Sequence, residues 1–136
     1  MISIICLFNS CYSIIGKDES DSSLMTNVEW IDKESSYNRY EVKGNKVNIY
    51  CTLTFKNKSD KPAVFYLSAD FADDLDLGLV TEGLLYGVNK EDGKDTLFLE
   101  AYEKKTFEYI FKGDFGGVKR KATRECPDIE IQEIKD

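Results

Sequence analysis

The chain has 136 residues, of which 42% are hydrophobic, 12% aromatic and 32% charged, and its formal net charge is −7. This aromatic content excludes a disordered chain, and the negative charge argues against nucleic acid as a main partner and against attachment to anionic lipid by charge alone. The chain has no histidine, so the usual general base and zinc ligand is missing. A length of this kind predicts a single domain.

The first residues form a short apolar run, Ile2 to Phe8, which is followed by Asn9-Ser10-Cys11 and then by a polar, acidic stretch over 16–23. An apolar run, a small residue, a cysteine and a flexible spacer are typical of a lipoprotein export signal. This pattern predicts that Cys11 is lipidated and that the protein is extracytoplasmic, at the cell surface or in the periplasm, touching the membrane only through its lipid anchor. Residues 1–23 are then leader and spacer, and residues 24–136 are the folded domain.

The same run departs from an export signal, because it is short and no basic residue precedes Lys17, whereas such signals open with a basic region. A true start upstream of Met1 is one explanation. The alternative is that residues 2–15 form a buried first strand. A membrane-spanning helix is excluded, since a span needs about 20 consecutive apolar residues.

The rest of the chain predicts short strands. Residues 46–56 alternate between apolar and polar side chains, which is the period of a half-buried strand, and the turn-forming residues 57–62 follow. Asp92-Gly93 is a second turn signal, residues 70–79 allow a helical turn, and Gly113, Gly116 and Gly117 are expected to break a strand over 105–111. Further strand patterns lie at 28–30, 40–42, 63–69, 83–88, 96–99 and after Pro127.

Seven or eight short strands with little helix indicate an antiparallel sandwich or barrel. Side chains on the apolar rows of two strands are expected to be buried and to come from both sheets, whereas Asn48, Thr52 and Thr54 are expected to face water. The predicted core residues are Val47, Ile49, Leu53, Phe55, Phe107, Tyr109 and Phe111.

Two segments carry a resemblance: Phe55-x-Asn57-x-Ser59-x-x-Pro62, and the later run from Leu99 to Phe111 that contains Glu103-Lys104-Lys105-Thr106. Over residues 45–134 the chain resembles bacterial immunoglobulin-like domains of exported lipoproteins. The resemblance implies an all-β, antiparallel immunoglobulin-like β-sandwich of seven or eight strands. That family includes binding, adhesion and assembly modules and some protease inhibitors, so the resemblance implies fold and location without a function.

Two charged clusters are candidate sites. Closely spaced aspartates supply oxygen ligands for calcium, so Asp70, Asp73, Asp74 and Asp76 are a weak calcium candidate, although the sequence fits no EF-hand and a solvated loop is the simpler interpretation. A basic loop in an acidic chain is a candidate partner-binding loop, and its alternative is a charged, solvated connection. Its residues are Lys119, Arg120, Lys121 and Arg124.

Cys51 and Cys126 form either one disulfide or two thiols that behave as small hydrophobes. Thiols are favoured, because the position just before the last strand seldom faces the middle of another strand. Asn57-Lys58-Ser59 is formally an N-glycosylation acceptor, but the same residues form the predicted turn.

These patterns favour a non-catalytic binding or assembly module without cofactors, whose partner is a protein or a surface glycan. The alternative function is a protease-inhibitor domain in which a loop at 70–82 or 113–124 fills an active-site cleft. An inhibitor is expected to present a rigid protruding loop, and a binding module a flat or aromatic face.

Overall fold

The structure is a computed structural model that describes residues 27–120 and 126–134. Within them the chain is all-β, with eight antiparallel strands, one six-residue helix, α1 (Ala72–Leu77), and a single 3₁₀ turn at Asp32–Glu34. The expected strand number is therefore confirmed, as is the helical turn near residue 75. The strands are β1 (Val28–Trp30), β2 (Ser36–Lys43), β3 (Lys46–Asn57), β4 (Ala63–Asp70), β5 (Leu84–Asn89), β6 (Thr96–Leu99), β7 (Lys104–Asp114) and β8 (Asp128–Ile134).

Strand β3 organises the first half of the sheet. It pairs along its length with β7, from Lys46↔Asp114 to Lys56↔Lys104, and its other edge pairs with β2 and then β1. The β2–β3 hairpin closes through the two residues Gly44-Asn45, and Gly44 has the positive φ of 62° that such turns require. Gly113 lies inside β7 opposite Val47 and does not break the strand, contrary to expectation. The strand ends at Asp114, before Gly116 and Gly117.

Strand β4 organises the second half. One of its edges pairs with β8, and the other pairs with β6 near Ala63 and with β5 near Asp70. Because β5 also pairs with β7 from Tyr86 onward, it joins the two halves into one sheet. Strands β1 and β8, at the two ends, lie in contact, so the sheet is nearly closed.

The core fills the inside of this curled sheet. All seven predicted core residues are buried, but they lie on β3 and β7, which pair directly, so the expectation that they come from two opposed sheets is wrong. Phe55 meets Phe65 of β4 edge to face, with ring centroids 5.3 Å apart, across the core. The opposite wall is built by Phe65, Leu67, Ala69, Leu85, Leu97 and Leu99.

Thr54 is an exception among the β3 side chains that were predicted to face water. Asn48 and Thr52 are partly exposed, but Thr54 is only 1% exposed. The register has not slipped, because the 3₁₀ turn covers this position: the Thr54 hydroxyl donates to the Glu34 carbonyl at 3.0 Å and lies 2.7 Å from the Thr106 hydroxyl. Period-two alternation identifies the face of a residue but not what a neighbouring turn places over it.

Candidate binding surface

Exposed apolar side chains concentrate on the outside of the sheet around β4. Residues directly opposite one another on neighbouring strands point to the same face, so the register identifies the outward positions. We define the β4 face as the outer surface of β4 with the adjoining parts of β5, β6 and β8. Its large apolar side chains, each 37–54% exposed, are Val64, Leu84, Tyr86, Phe98 and Ile134.

Three of these side chains form a row across three strands. Val64 of β4 lies opposite Phe98 of β6 on one side and opposite Ile134 of β8 on the other. Directly paired side chains have Cβ atoms about 4.5–5.5 Å apart, so the three form a contiguous apolar strip. The inward neighbours Phe65, Leu97 and Glu133 alternate with them, which is why the strip itself faces water.

The other end of the β4 face is acidic. Asp70 lies opposite Asp128, and Ser68 opposite Glu130, whose carboxylate accepts a hydrogen bond of 3.4 Å from the Ser68 hydroxyl. Asp70 accepts a hydrogen bond from the Ala72 amide at 3.0 Å. A shallow depression of about 410 Å³ runs between these residues and Leu84.

Strand β5 forms the edge of this face. Tyr86 is opposite Ser68 on one side and Lys112 on the other, so its ring stands where the outer surfaces of β4 and β7 meet. A wider groove of about 850 Å³ begins there and continues past Gly87 and Lys112 toward Lys46. That groove has mixed charge, since Lys46 pairs with Asp114 at 2.6 Å.

The segments considered as inhibitor loops are packed against the domain where they are described. Within 70–82, Phe71, Leu79 and Val80 are buried. Within 113–120, the Gly116 amide donates to the Leu79 carbonyl at 2.9 Å, and the Val118 amide donates to the Gly78 carbonyl at 3.0 Å. These hydrogen bonds tie the two segments to each other.

The basic candidate loop is only partly described. Lys119 and Arg120 are exposed, whereas Lys121 and Arg124 lie outside the described residues, as do Cys11 and the whole predicted leader 1–23. The described domain begins with β1 at Val28, shortly after the predicted spacer.

The four aspartates of the calcium candidate are not brought together. Asp73 and Asp76 are exposed on α1 and Asp70 is exposed at the end of β4, whereas Asp74 is 2% exposed and accepts a hydrogen bond of 3.4 Å from the Tyr37 hydroxyl. Among the described residues there is no group of three or more acidic or cysteine side chains with the spacing of a metal site. Asp74 thus joins α1 to β2.

Cys51 is buried on β3 and Cys126 is partly buried against the core, and the structure holds them as two thiols. The formal glycosylation acceptor Asn57 is 0% exposed. Its amide donates to the Lys61 and Glu100 carbonyls at 2.7 and 3.1 Å, and its oxygen accepts hydrogen bonds from the Ser59 amide and hydroxyl at 3.0 and 2.9 Å. An Asn whose hydrogen-bonding groups are all engaged inside the domain is not accessible to glycosylation in the folded state.

Two buried tyrosines have perturbed acidities. Burial raises the pKa of Tyr109 to about 12; a backbone hydrogen bond at Leu67 opposes this and the charge of Asp95 adds to it. The Tyr109 hydroxyl lies 2.9 Å from the Gly87 carbonyl and 3.0 Å from the Asp95 carbonyl. Burial, followed by the neighbouring Asp74 charge, raises the pKa of Tyr37 well above its usual value.

These shifts predict loss of stability at alkaline pH. An unfolded tyrosine ionises near pH 10, whereas Tyr109 in the folded state holds its proton to about 12, so the unfolded state releases protons first. The stabilisation is complete below about pH 10 and should be lost at about 1.4 kcal/mol per pH unit and per tyrosine as the pH rises through 12. Urea unfolding at successive pH values measures this slope, which should be smaller in Tyr109→Phe. An unchanged free energy of unfolding across this range would contradict it.

The β4 face was missed by the sequence analysis. Its signal is present, since Val64 and Tyr66 are apolar or aromatic residues on the outward row of β4, and Phe98 is on that of β6. Neither helical segment of the described residues has the length and hydropathy needed to cross a membrane. Comparison of the chain with protein-family models, curated proteins and solved structures finds no match.

Proposed function

We propose that this protein is a non-catalytic binding or assembly module that engages its partner through the β4 face. The observation that carries the proposal is the contiguous strip of Val64, Phe98 and Ile134 on the outside of strands whose inner faces already build the core. Single exposed apolar residues are ordinary, but contiguous patches mark interaction sites. The exposed aromatic rings of Tyr86 and Phe98 on this face are a feature expected of a binding module.

The proposed fold family is the immunoglobulin-like sandwich. Its support is the division of the strands into a group around β3 and a group around β4, whose aromatic side chains Phe55 and Phe65 meet across the core. Asn57 of the F-x-N-x-S segment provides further support, since it fastens the turn after β3 to the turn before β7.

The proposed location is outside the cytoplasm, with Cys11 as the lipidated residue. The support is the sequence pattern of residues 1–23, followed by a domain whose first described strand starts at Val28. In the native host, labelled palmitate is expected in the wild-type protein, and Cys11→Ala should lose the label and leave the membrane fraction. Wild-type protein found soluble in the cytoplasm would contradict this location.

Protease inhibition has less support. An inhibitory loop has to protrude and hold its shape inside a cleft, whereas the described parts of 70–82 and 113–124 are hydrogen-bonded to each other and bury Phe71, Leu79 and Val80.

The binding function is tested by site-specific photo-crosslinking in the native host. A benzophenone side chain replaces Phe98 or Tyr86 on the β4 face. The matched control replaces the exposed Asn38 of β2, which lies in the half of the sheet around β3. We expect a discrete adduct from the two β4-face positions and none from Asn38, and Val64→Lys should abolish the adduct formed from Phe98.

Equal crosslinking from all three positions, or none from any, would overturn the proposal. The composition of the adduct is informative as well: after digestion, peptides of another protein indicate a protein partner, and sugar attached to a peptide of this chain indicates a glycan. An adduct of twice the mass of the chain that yields only its own peptides indicates a second copy.

A further inference from the structure

The charges on the β4 face have one sign. The outward positions described on β4, the first half of β5, β6 and β8 carry no Lys or Arg, whereas Asp70, Asp128 and Glu130 are exposed there. The side chains of Asp70 and Glu130 accept hydrogen bonds from neutral groups, the Ala72 amide and the Ser68 hydroxyl. The described residues supply no ion pair to either carboxylate, so both remain negative toward an approaching partner.

Apolar and acidic residues occupy opposite ends of this face. Val64 and Asp70 are six positions apart on β4, which corresponds to about 20 Å along an extended strand. The strip of Phe98, Val64 and Ile134 lies at one end, Asp70 and Glu130 lie at the other, and Tyr66 and Gln132 lie between them. A complementary ligand therefore has an apolar part and a positive part separated by about 20 Å.

We propose that the partner of the β4 face is a basic polypeptide segment with apolar side chains at one end and Lys or Arg at the other. The proposal rests on the binding function proposed above and specifies its partner. An extended segment of about six residues spans the required distance. Its apolar end covers the strip, and its cations meet Asp70 and Glu130, where complementary charge sets orientation and speeds association.

The same charges disfavour other occupants. A second copy placed symmetrically on this face brings its own Asp70 and Glu130 against those of the first, and like charges in an interface are unfavourable. Anionic lipid and nucleic acid are repelled for the same reason, in a protein whose net charge is already −7. A neutral glycan stacks on the aromatic rings and donates hydroxyl hydrogen bonds to the carboxylates, but it has no positive charge to complement theirs.

The test measures binding of a short fluorescent peptide that has Leu at one end and Lys at the other, with Ser between them. We expect saturable binding that weakens as salt is added, because salt screens exposed charges. Amide chemical-shift changes should map to β4, β6 and β8. The double variant Asp70→Asn with Glu130→Gln keeps the side-chain shapes and should weaken binding about tenfold at low salt and reduce its salt dependence.

Three controls make the result specific. Asp60→Asn with Glu91→Gln removes the same charge from exposed loops and should change affinity less than about twofold, since these loops lie outside the β4 face. Peptides with Glu in place of Lys, or with Ser in place of Leu, should bind far more weakly. Unchanged urea midpoints exclude misfolding of the variants.

Equal binding of the Lys and Glu peptides, shift changes away from β4, or full affinity in the Asp70→Asn, Glu130→Gln variant would overturn the cationic partner. If the peptide does not bind while the Phe98 crosslink still captures a partner, the binding function stands and the partner chemistry is wrong. If the peptide does not bind and the Phe98 crosslink also captures no partner, the binding function itself is contradicted.

Discussion

Replacing Gly87 with Ala is expected to destabilise the domain by about 3 kcal/mol, the upper part of the range for overpacked positions. Gly87 lies in β5 just after the strand changes its partner from β4 to β7. A Cβ atom there would run into the Ile110 carbonyl oxygen and lie 2.7 Å from its carbonyl carbon and 2.8 Å from the Phe111 Cα. All three atoms belong to backbone, so no side-chain rotation relieves the clash, and β5 has to move away from β7.

That movement also affects the core. The Gly87 carbonyl accepts the hydrogen bond of the buried Tyr109 hydroxyl, so a displaced β5 weakens this contact. Urea unfolding monitored by tryptophan fluorescence measures the effect. Gly93→Ala is the matched control, because a Cβ there has no neighbour within 4 Å and only its φ of 74° is unfavourable; that costs about 1–2 kcal/mol. A Gly87→Ala variant as stable as the wild type would show that the two strands are not so closely packed.

Replacing Asn57 with Ala is expected to cost about 3 kcal/mol, because it removes all the hydrogen bonds of a buried side chain at once and leaves the Ser59 amide without its acceptor. Asn57 is fully buried and makes four hydrogen bonds, to Ser59, Lys61 and Glu100. The backbone N–H of Asn57 donates to the Glu103 carbonyl at 2.8 Å. One side chain therefore connects the turn between β3 and β4 to the turn between β6 and β7, and these turns are far apart in sequence.

The Asn57→Asp variant separates the effect of lost hydrogen bonds from the effect of lost side-chain volume, because Asp and Asn have nearly the same size. Asp retains an acceptor for Ser59 but places a carboxylate oxygen against the Lys61 and Glu100 carbonyls, where the Asn amide donates. At neutral pH this variant should be about as unstable as Asn57→Ala, and it should recover part of the loss in acid as the carboxyl gains a proton. Asn48→Ala, at a partly exposed position of the same strand, should change the unfolding free energy by less than about 0.5 kcal/mol. Equal urea midpoints for Asn57→Ala and Asn48→Ala would refute this role.

The strands themselves were predictable from local sequence. The alternation in β3, from Val47 to Phe55, and in β7, from Phe107 to Phe111, places every apolar residue of each row in the core, because a period of two is a property of the strand and needs no partner. The turn signals at 57–62 and at Asp92-Gly93 are local for the same reason. Local sequence therefore identified the elements and much of the core.

Positions that depend on two distant segments were not predictable. The burial of Thr54 depends on the 3₁₀ turn that covers it, and the burial of Asp74 depends on Tyr37, which lies 37 residues earlier. Gly87 appears in the sequence as one glycine among nine, and only its approach to Ile110 distinguishes it. Each of these features is a contact between segments whose distance in space is unknown until the strand order is known.

The β4 face shows the same difference between what local sequence determines and what depends on contacts between distant segments. Sequence alone determined that this protein is an acidic, aromatic-rich chain of short antiparallel strands without histidine. Only the tertiary structure decided that β4 pairs with β5, β6 and β8, and so placed Val64 beside Phe98 and Ile134 and placed Asp70 beside Asp128. The physical reason is that alternation assigns a residue to one side of its own strand, whereas a surface patch is set by the order and register of neighbouring strands, which depend on long-range packing.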